Sequence, residues 1–283
     1  MRPFRGEMTV AFDASAVCGV VVSRGLRGRK LRSFARVGLA PGALSPQALE
    51  PNLLRPDEVA LALGRVLEEL GAGRGRVSLL LPDGVARMGL IEIPAGVVPE
   101  EYARFRWAQA LPYPAEEAIV DVLPLGPGRA VAAAVRRRVA HDYEEAAARA
   151  GLAPDRVDLA PLAALSALVR DRPAEEPGVD VILGDAAYCL AASQGGALRI
   201  LRNRRRDADA GEAERLRREV DRTASLAGNG TSALRVRVVG SGAGGLIGEL
   251  QRSGRAAGPA WETQRNGLPV EAAELPWLAA SLG

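Results

Sequence analysis

The sequence predicts an α/β chain of two related halves, with an α+β module set into the first half. A strand–turn–strand–turn–strand pattern opens the chain and returns near residue 179. Between residues 77 and 159 the elements alternate in the order β-β-α-β-β-α-β. A glycine loop late in the chain follows one strand and precedes one helix. The repeat shows in the side chains: CGVVVSRG (18–25) and CLAASQGG (189–196) each give a cysteine-led strand running into a Ser-x-Gly turn. A chain of 283 residues suits two lobes better than one small core.

Each element has a local cause. Valine-rich runs at 9–12 and 18–22 flank the turn Asp13-Ala14-Ser15-Ala16, and a third strand follows at 31–37. Residues 41–56 form a loop rich in Pro, Gly and Ser. Asp57 is the expected cap of a helix whose apolar positions Val59, Leu63, Val66, Leu67 and Leu70 repeat every 3.6 residues, and Gly71 ends it. A buried strand at 77–81, the turn Pro82-Asp83-Gly84 and a strand at 88–93 come next. Pro99 suits a helix start, where its missing N–H costs nothing. The expected inner stripe of that helix is Tyr102, Phe105 and Ala108, with Trp107 off it, and Pro112 stops it.

Strands at 119–125 and 130–135 flank a Gly-Pro-Gly turn. Val139, Tyr143, Ala146 and Ala150 mark a helix closed by Gly151, and a strand ending near 159 follows. A short helix at 161–169 and a charged linker at 170–178 lead to the second half. Its strands are expected at 179–183, 188–192 and 198–202, with the turns Gly184-Asp185-Ala186 and Gln194-Gly195-Gly196. A helix at 214–226 carries Leu216, Val220, Thr223 and Ala227 on one face. A strand at 234–239, the loop 240–245, a short helix from 246 and an apolar closing helix at 275–283 complete the chain. The expected division is a first lobe at 1–76, an inserted module at 77–159 and a second lobe at 160–283.

Scarcities exclude chemistry. His141 is the only histidine, so a multi-histidine metal site or relay is ruled out. Cys18 and Cys189 lie in separate apolar runs, without zinc-type spacing, and read as buried free thiols of a reducing compartment. Lys30 is the only lysine, so the pI of about 9.2 reflects arginine usage and says little about nucleic acid. No run reaches a membrane span, and the N-terminus lacks the apolar core of a signal peptide, which together lead us to expect a cytoplasmic protein.

The candidate sites are few. Gly240, Gly242, Gly244 and Gly245 formally fit GxGxxG, but a dinucleotide fold needs that loop at its start, and too little chain remains here. Asp13 and Ser15 occupy the first turn, and Gly184 and Asp185 the matching turn of the second half; Asp and Ser are also ordinary turn residues. The run Arg202-Asn203-Arg204-Arg205-Arg206 reads as a solvated strand end, because no aromatic residues interleave and acids follow at once, so no nucleic-acid partner is expected. Glu116-Glu117 and Glu175-Glu176 read as solvated turns. Trp107 and the corner Leu111-Pro112-Tyr113-Pro114 have two readings: a packed corner, or one wall of a groove for a partner peptide.

The segment RFRWAQALPYPAEEAIVDVLP (104–124) resembles the pattern R-W-x(n)-P-[FY]-P-x-E-E-x-x-x-D of the PilM family of type IV pilus assembly proteins and its actin-like relatives. VSLLLPDGVARMGLIEIP (77–94), HDYEEAAARAGLAPDRVDLAPLAALSAL (141–168), VVGSGAGGLIGEL (238–250) and LPWLAASLG (275–283) resemble further family segments, in the family's order. The resemblance implies an actin-like, ribonuclease H-like two-lobed fold with an inserted α+β subdomain. It implies a cytoplasmic scaffold of a type IV pilus or type II secretion-like assembly. Such a scaffold sits peripheral to the inner membrane through a partner and does not insert in the membrane itself. The implied partners are the N-terminal cytoplasmic peptide of the inner-membrane protein PilN, with Trp107 and Tyr113 as contact candidates, and other assembly proteins.

The same resemblance makes Asp13, Ser15, Gly184, Asp185, Gly240, Gly242, Gly244 and Gly245 the remnants of a nucleotide cleft. The chain departs from the family where phosphate would be held. Ser15 stands for a glycine that permits close backbone approach, and Ala16 lacks the family's hydroxyl. Val20 stands for the usual lysine, and Ile182 falls where a magnesium-holding aspartate is expected. We therefore expect no catalytic residue, metal or cofactor. The alternative is an active ATPase in the same machinery, using ATP and Mg²⁺ with Asp13 and Asp185.

Overall fold

The computed structural model describes residues 7–25, 28–73, 75–173, 175–207, 209–227, 234–260, 275, 277 and 278. The elements run in chain order β1 (Glu7–Phe12), β2 (Ala16–Gly25), β3 (Gly28–Gly38), α1 (Pro56–Leu70), β4 (Arg76–Leu81), β5 (Ala86–Glu92), α2 (Pro99–Trp107), β6 (Ala118–Pro124), β7 (Arg129–Arg136), α3 (Arg137–Arg149) and β8 (Ala153–Leu159). They continue with α4 (Ala160–Asp171), β9 (Gly178–Leu183), β10 (Ala187–Gln194), β11 (Ala197–Arg205), α5 (Glu212–Leu226), β12 (Arg235–Gly240), α6 (Ala243–Arg252) and β13 (Ala257–Pro259).

The duplication is visible in the sheets. The first sheet has the order β3-β2-β1-β4-β8, and the second contains β11-β10-β9-β12-β13. In both, the first hairpins are antiparallel and the last two strands run parallel to the first. Parallel neighbours need crossovers, and helices supply them: α1 and α3 in the first half, α5 and α6 in the second.

The expected module at 77–159 does not form a sheet of its own. Its outer strands β4 and β8 belong to the first sheet, and β5, β7 and β6 extend the second sheet. The reason is burial on both faces. In β4, Val77, Leu79 and Leu81 pack under α1 and α3, while Leu80 faces the opposite cluster around Cys18 and Val20. Such a strand belongs at the centre of a parallel array. The β5–β7–β6 unit meets β11 through a single bridge, Arg202 with Gly89.

The core follows the predicted stripes, with one exception. Val59, Leu63, Val66, Leu67 and Leu70 of α1 are all buried against the first sheet. Gly19 of β2 makes that approach possible, because a Cβ there would meet Val66 at 2.6 Å and Leu70 at 2.8 Å. Asp57 sits inside the first turn of α1, after Pro56, and makes no cap bond. In α2 the expected stripe fails. Ala103 and Trp107 face the core, and Phe105 is 78% exposed. A nine-residue helix lying on the small-residue face Ala130, Ala132 and Ala134 of β7 has room for one large side chain, and the longer Trp107 fills it.

Cys18 and Cys189 are free and buried, with burial raising both thiols to about 12. Among the described residues no helix is long and apolar enough to cross a membrane. The expected closing helix lies outside the described residues, apart from Leu275, Trp277 and Leu278, which cover the outer face of the first sheet.

Candidate functional site

The two halves meet at the carboxyl ends of their central strands, the place where open α/β sheets present loops to ligands. Each half offers a four-residue hairpin turn closed in the same way. The Asp13 N–H donates to the Ala16 carbonyl at 2.9 Å, and the Gly184 N–H donates to the Ala187 carbonyl at 3.0 Å. The register confirms the match: Ala11 pairs with Cys18 as Ile182 pairs with Cys189. Asp13 therefore corresponds to Gly184, and Asp185 corresponds to Ala14. Ile182 corresponds to Ala11, inside the strand and facing the α4 side. The resemblance, counting back from Gly184, put a magnesium-holding aspartate here; by register the counterpart of Asp13 is Gly184 itself.

The turns are tied to each other. Ser15 Oγ donates to Asp185 Oδ2 at 2.7 Å across the lobes. Asp13 lies in the same group, near enough for the Asp185 charge to push its carboxyl up. A third carboxylate completes the group, and sequence reasoning missed it. Asp83 stands just beyond β4 and accepts the Ala187 N–H at 3.1 Å on Oδ2. Gly184 makes this approach possible, since a Cβ there would overlap the Asp83 carboxylate. The available signal was the turn Pro82-Asp83-Gly84 directly after the apolar run Leu79-Leu80-Leu81, the second-half analogue of which is the loop at Gly240. Burial first, then the neighbouring carboxylates, push Asp13 up to about 8; burial and Asp185 push Asp83 up to about 7.

Arg206 is the second residue not singled out. Its Nε and Nη2 hold Glu212 at 2.6 and 3.0 Å, and its Nη1 donates to the carbonyls of Gly184 at 2.6 Å and Ser241 at 2.9 Å. The guanidinium thus lies between the second turn and the glycine loop. Gly240 at φ 102° lies against the Leu183 carbonyl, and a Cβ on Gly242 would meet Arg206 at 2.9 Å. Gly244 and Gly245 lie in the first turn of α6. The structure therefore brings Asp13, Ser15, Gly184, Asp185, Gly240 and Gly242 around one cleft, with Gly244 and Gly245 at its edge.

As arranged, these residues do not fit a magnesium-bound triphosphate. The Ser15–Asp185 bond joins the turns that would have to part around phosphate, and Arg206 fills the space beside the glycine loop. Among the described residues no group of three or more ligating side chains is placed to hold a metal ion. In the basic run, Arg202 pairs with Glu219 and Arg206 with Glu212.

The cleft opens into a groove, and the two together enclose about 930 Å³, lined at the cleft end by Ala14, Asp83, Asp185 and Arg206. The loop 42–48 and Leu54 form one wall, and Trp107, Leu111 and Tyr113 line the other. The loop is held rigidly. Buried Asn52 accepts the Gln47 N–H at 2.9 Å and the Tyr143 hydroxyl at 3.2 Å, and donates to the carbonyls of Gln47 and Leu49. The Leu111–Pro114 corner is held by Arg136, which lies 5.8 Å over the Tyr113 ring and is paired with Glu50 and Glu117. Trp107 and Tyr113 are only 7% and 6% exposed, so they serve as packed wall and not as projecting aromatics.

Duplicated five-stranded sheets facing each other across turns of this kind define the actin-like ATPase fold. No family model and no curated protein matches the chain. Solved structures do match. A chain of the PilM-PilN type IV pilus biogenesis complex aligns with a TM-score of 0.75 at 20% identity, over 99% of this chain and 97% of its own length. A Bacteroides thetaiotaomicron protein with an actin-like ATPase fold and unknown function aligns at 0.59 and 12% identity, over 89% and 91%. The cytoplasmic domain of Epsl, an inner-membrane component of the type II secretion system of Vibrio cholerae, aligns at 0.52 and 14%, over 83% and 82%.

Proposed function

We propose that this chain is a scaffold of a type IV pilus or type II secretion-like assembly. In this reading it docks the cytoplasmic peptide of an inner-membrane partner in the groove between the loop 42–48 and the Trp107–Tyr113 wall. The carrying observation is the groove itself: about 930 Å³ together with the cleft into which it opens, with both walls tied by side-chain hydrogen bonds and ion pairs. Preformed walls lower the ordering cost of binding an extended segment. The likeness to the PilM–PilN complex supplies the class of partner, a PilN-like N-terminal peptide. The joined turns and the seated Arg206 support a role without ATP turnover. On this reading the protein is cytoplasmic and reaches the membrane only through its partner.

The test is fluorescence anisotropy with the labelled N-terminal cytoplasmic peptide of a PilN-like protein. We expect a Kd in the micromolar range, about −8 kcal/mol. Ala110→Arg, which fills the groove from an exposed position, should weaken binding at least about tenfold while the fold is kept. No binding at tens of micromolar overturns the reading.

Three aspartates on facing turns favour a second reading, an ATPase using Asp13 and Asp185. Calorimetry with Mg·ATP separates the two. Sub-millimolar affinity abolished by Asp13→Ala would establish the ATPase.

A further inference from the structure

A second cavity, of about 530 Å³, adjoins the groove at Arg87, Leu90, Trp107 and Ala110, where the β5–β7–β6 unit meets the second half. Four arginines converge on it from four different elements: Arg87 on β5, Arg106 on α2, Arg129 on β7 and Arg199 on β11. One carboxylate, Glu92, lines it with them. Arg129 donates to the Leu198 carbonyl at 2.9 Å, and Arg87 lies 5.6 Å over the Trp107 ring. Among the described residues none of the four is paired with a carboxylate. Arg136, on the same β7, is by contrast held by Glu50 and Glu117.

We propose that this cavity binds a small anion carrying two or more phosphate groups. Guanidinium groups are planar forks matched to phosphate oxygens, and four like charges gathered around a single carboxylate gain most from a multivalent anion. The volume is that of a small-molecule site. The placement gives the ligand a consequence. Arg87, Arg106 and Arg129 belong to the unit β5–β7, while Arg199 belongs to the second half, and one strand bridge joins the two. A polyphosphate held by both sides would fasten that junction. The site is separate from the turn cluster at Asp13 and Asp185, whose surroundings are acidic.

The phosphate could come from a soluble ester or from a lipid headgroup, so the test has two arms. In the first, calorimetry at low salt measures sodium pyrophosphate and ATP, each without magnesium, against the full chain. In the second, the chain is sedimented with phosphatidylcholine vesicles containing cardiolipin, whose headgroup carries two phosphates. Arg199→Glu and Arg106→Glu change exposed side chains, and far-UV circular dichroism checks that both variants fold. Sub-millimolar binding of pyrophosphate or ATP that falls at least about tenfold in either variant supports a soluble ligand. Vesicle binding alone, lost in the same variants, supports a headgroup. Asp13→Asn leaves either result unchanged, which distinguishes this cavity from the interlobe cleft. Absence of binding in both arms, or binding indifferent to both arginine variants, overturns the proposal. So does preference for poly-glutamate over pyrophosphate.

Discussion

The two central sheets share a register, yet they treat charge in opposite ways. In the first sheet β1 and β4 set Thr9 opposite Ser78. At the corresponding place in the second, β9 and β12 set Asp180 opposite Arg237. Asp180 is fully buried, bonded to Arg237 at 2.7 and 3.0 Å and to Arg172 at 2.8 Å. Arg237 also donates to the Leu168 carbonyl at 2.6 Å, which attaches α4 to the sheet. The same backbone thus accepts a neutral pair or a buried ion cluster. The difference teaches that duplication preserved hydrogen-bonded geometry, while each half settled its polar interior separately. The hairpin turns repeat the lesson, with Asp13 in one and Gly184 in the other at the same position.

Four substitutions would break or sharpen this contrast. The largest effect is expected for Asp180→Ala, which leaves two buried guanidiniums without their counter-ion. It should cost about 3–5 kcal/mol, against about 1 kcal/mol or less for Thr9→Ala, both read by urea denaturation. Equal losses would show that the ion cluster adds nothing special to the second half. Next comes Gly184→Ala. Its methyl group would displace the Asp83 carboxylate, with a loss of about 1–3 kcal/mol. Ala14→Gly, in the first turn, serves as the mild control.

The third substitution concerns pH. Asp13 has its native pKa raised from 3.8 to about 8, so the native state holds a proton that the unfolded chain has released. Stability therefore falls as pH rises from about 4 to about 8 and then levels. Asp13→Asn shrinks that slope to the share owed to Asp83 and should stabilise the protein at pH 8 by on the order of 1–2 kcal/mol, a value discounted because the residue is partly exposed. Thermal melts at pH 5 and pH 8 check it, and an unchanged slope would show that Asp13 is ionised throughout. The smallest effect is expected for Phe105→Ala, within about 0.5 kcal/mol, since the ring lies in solvent. A loss of several kcal/mol would restore the stripe first expected for α2.

Much of this architecture was legible because it rests on local rules. The α1 stripe, the hairpins at 9–22 and 179–192 and the helix-closing glycines need only periodicity and turn chemistry, and they appear where expected. The α2 stripe was misread because a short helix carries little periodic signal, and the small alanines of β7 decided which ring went inside. The sheet membership of the strands in 77–159 was not legible, because strand order along the chain does not state which sheet a strand joins. In the candidate site, Asp13 and Asp185 were visible as turn residues. Asp83 and Arg206 were not, since each matters only through neighbours more than twenty residues away, Gly184 and Ala187 for one, Gly184 and Ser241 for the other.

By itself the sequence determined the elements, the doubling of the opening pattern, and the lack of a multi-histidine set or zinc-type cysteine spacing. These follow from spacing and composition, which act over a few residues or over the whole chain at once. Only the tertiary structure decided that three carboxylates face each other, that Arg206 seats between two loops, and that four arginines surround one cavity. Desolvation and charge–charge interaction depend on distance through space. Nothing in the linear order of a chain states that distance until the lobes have packed.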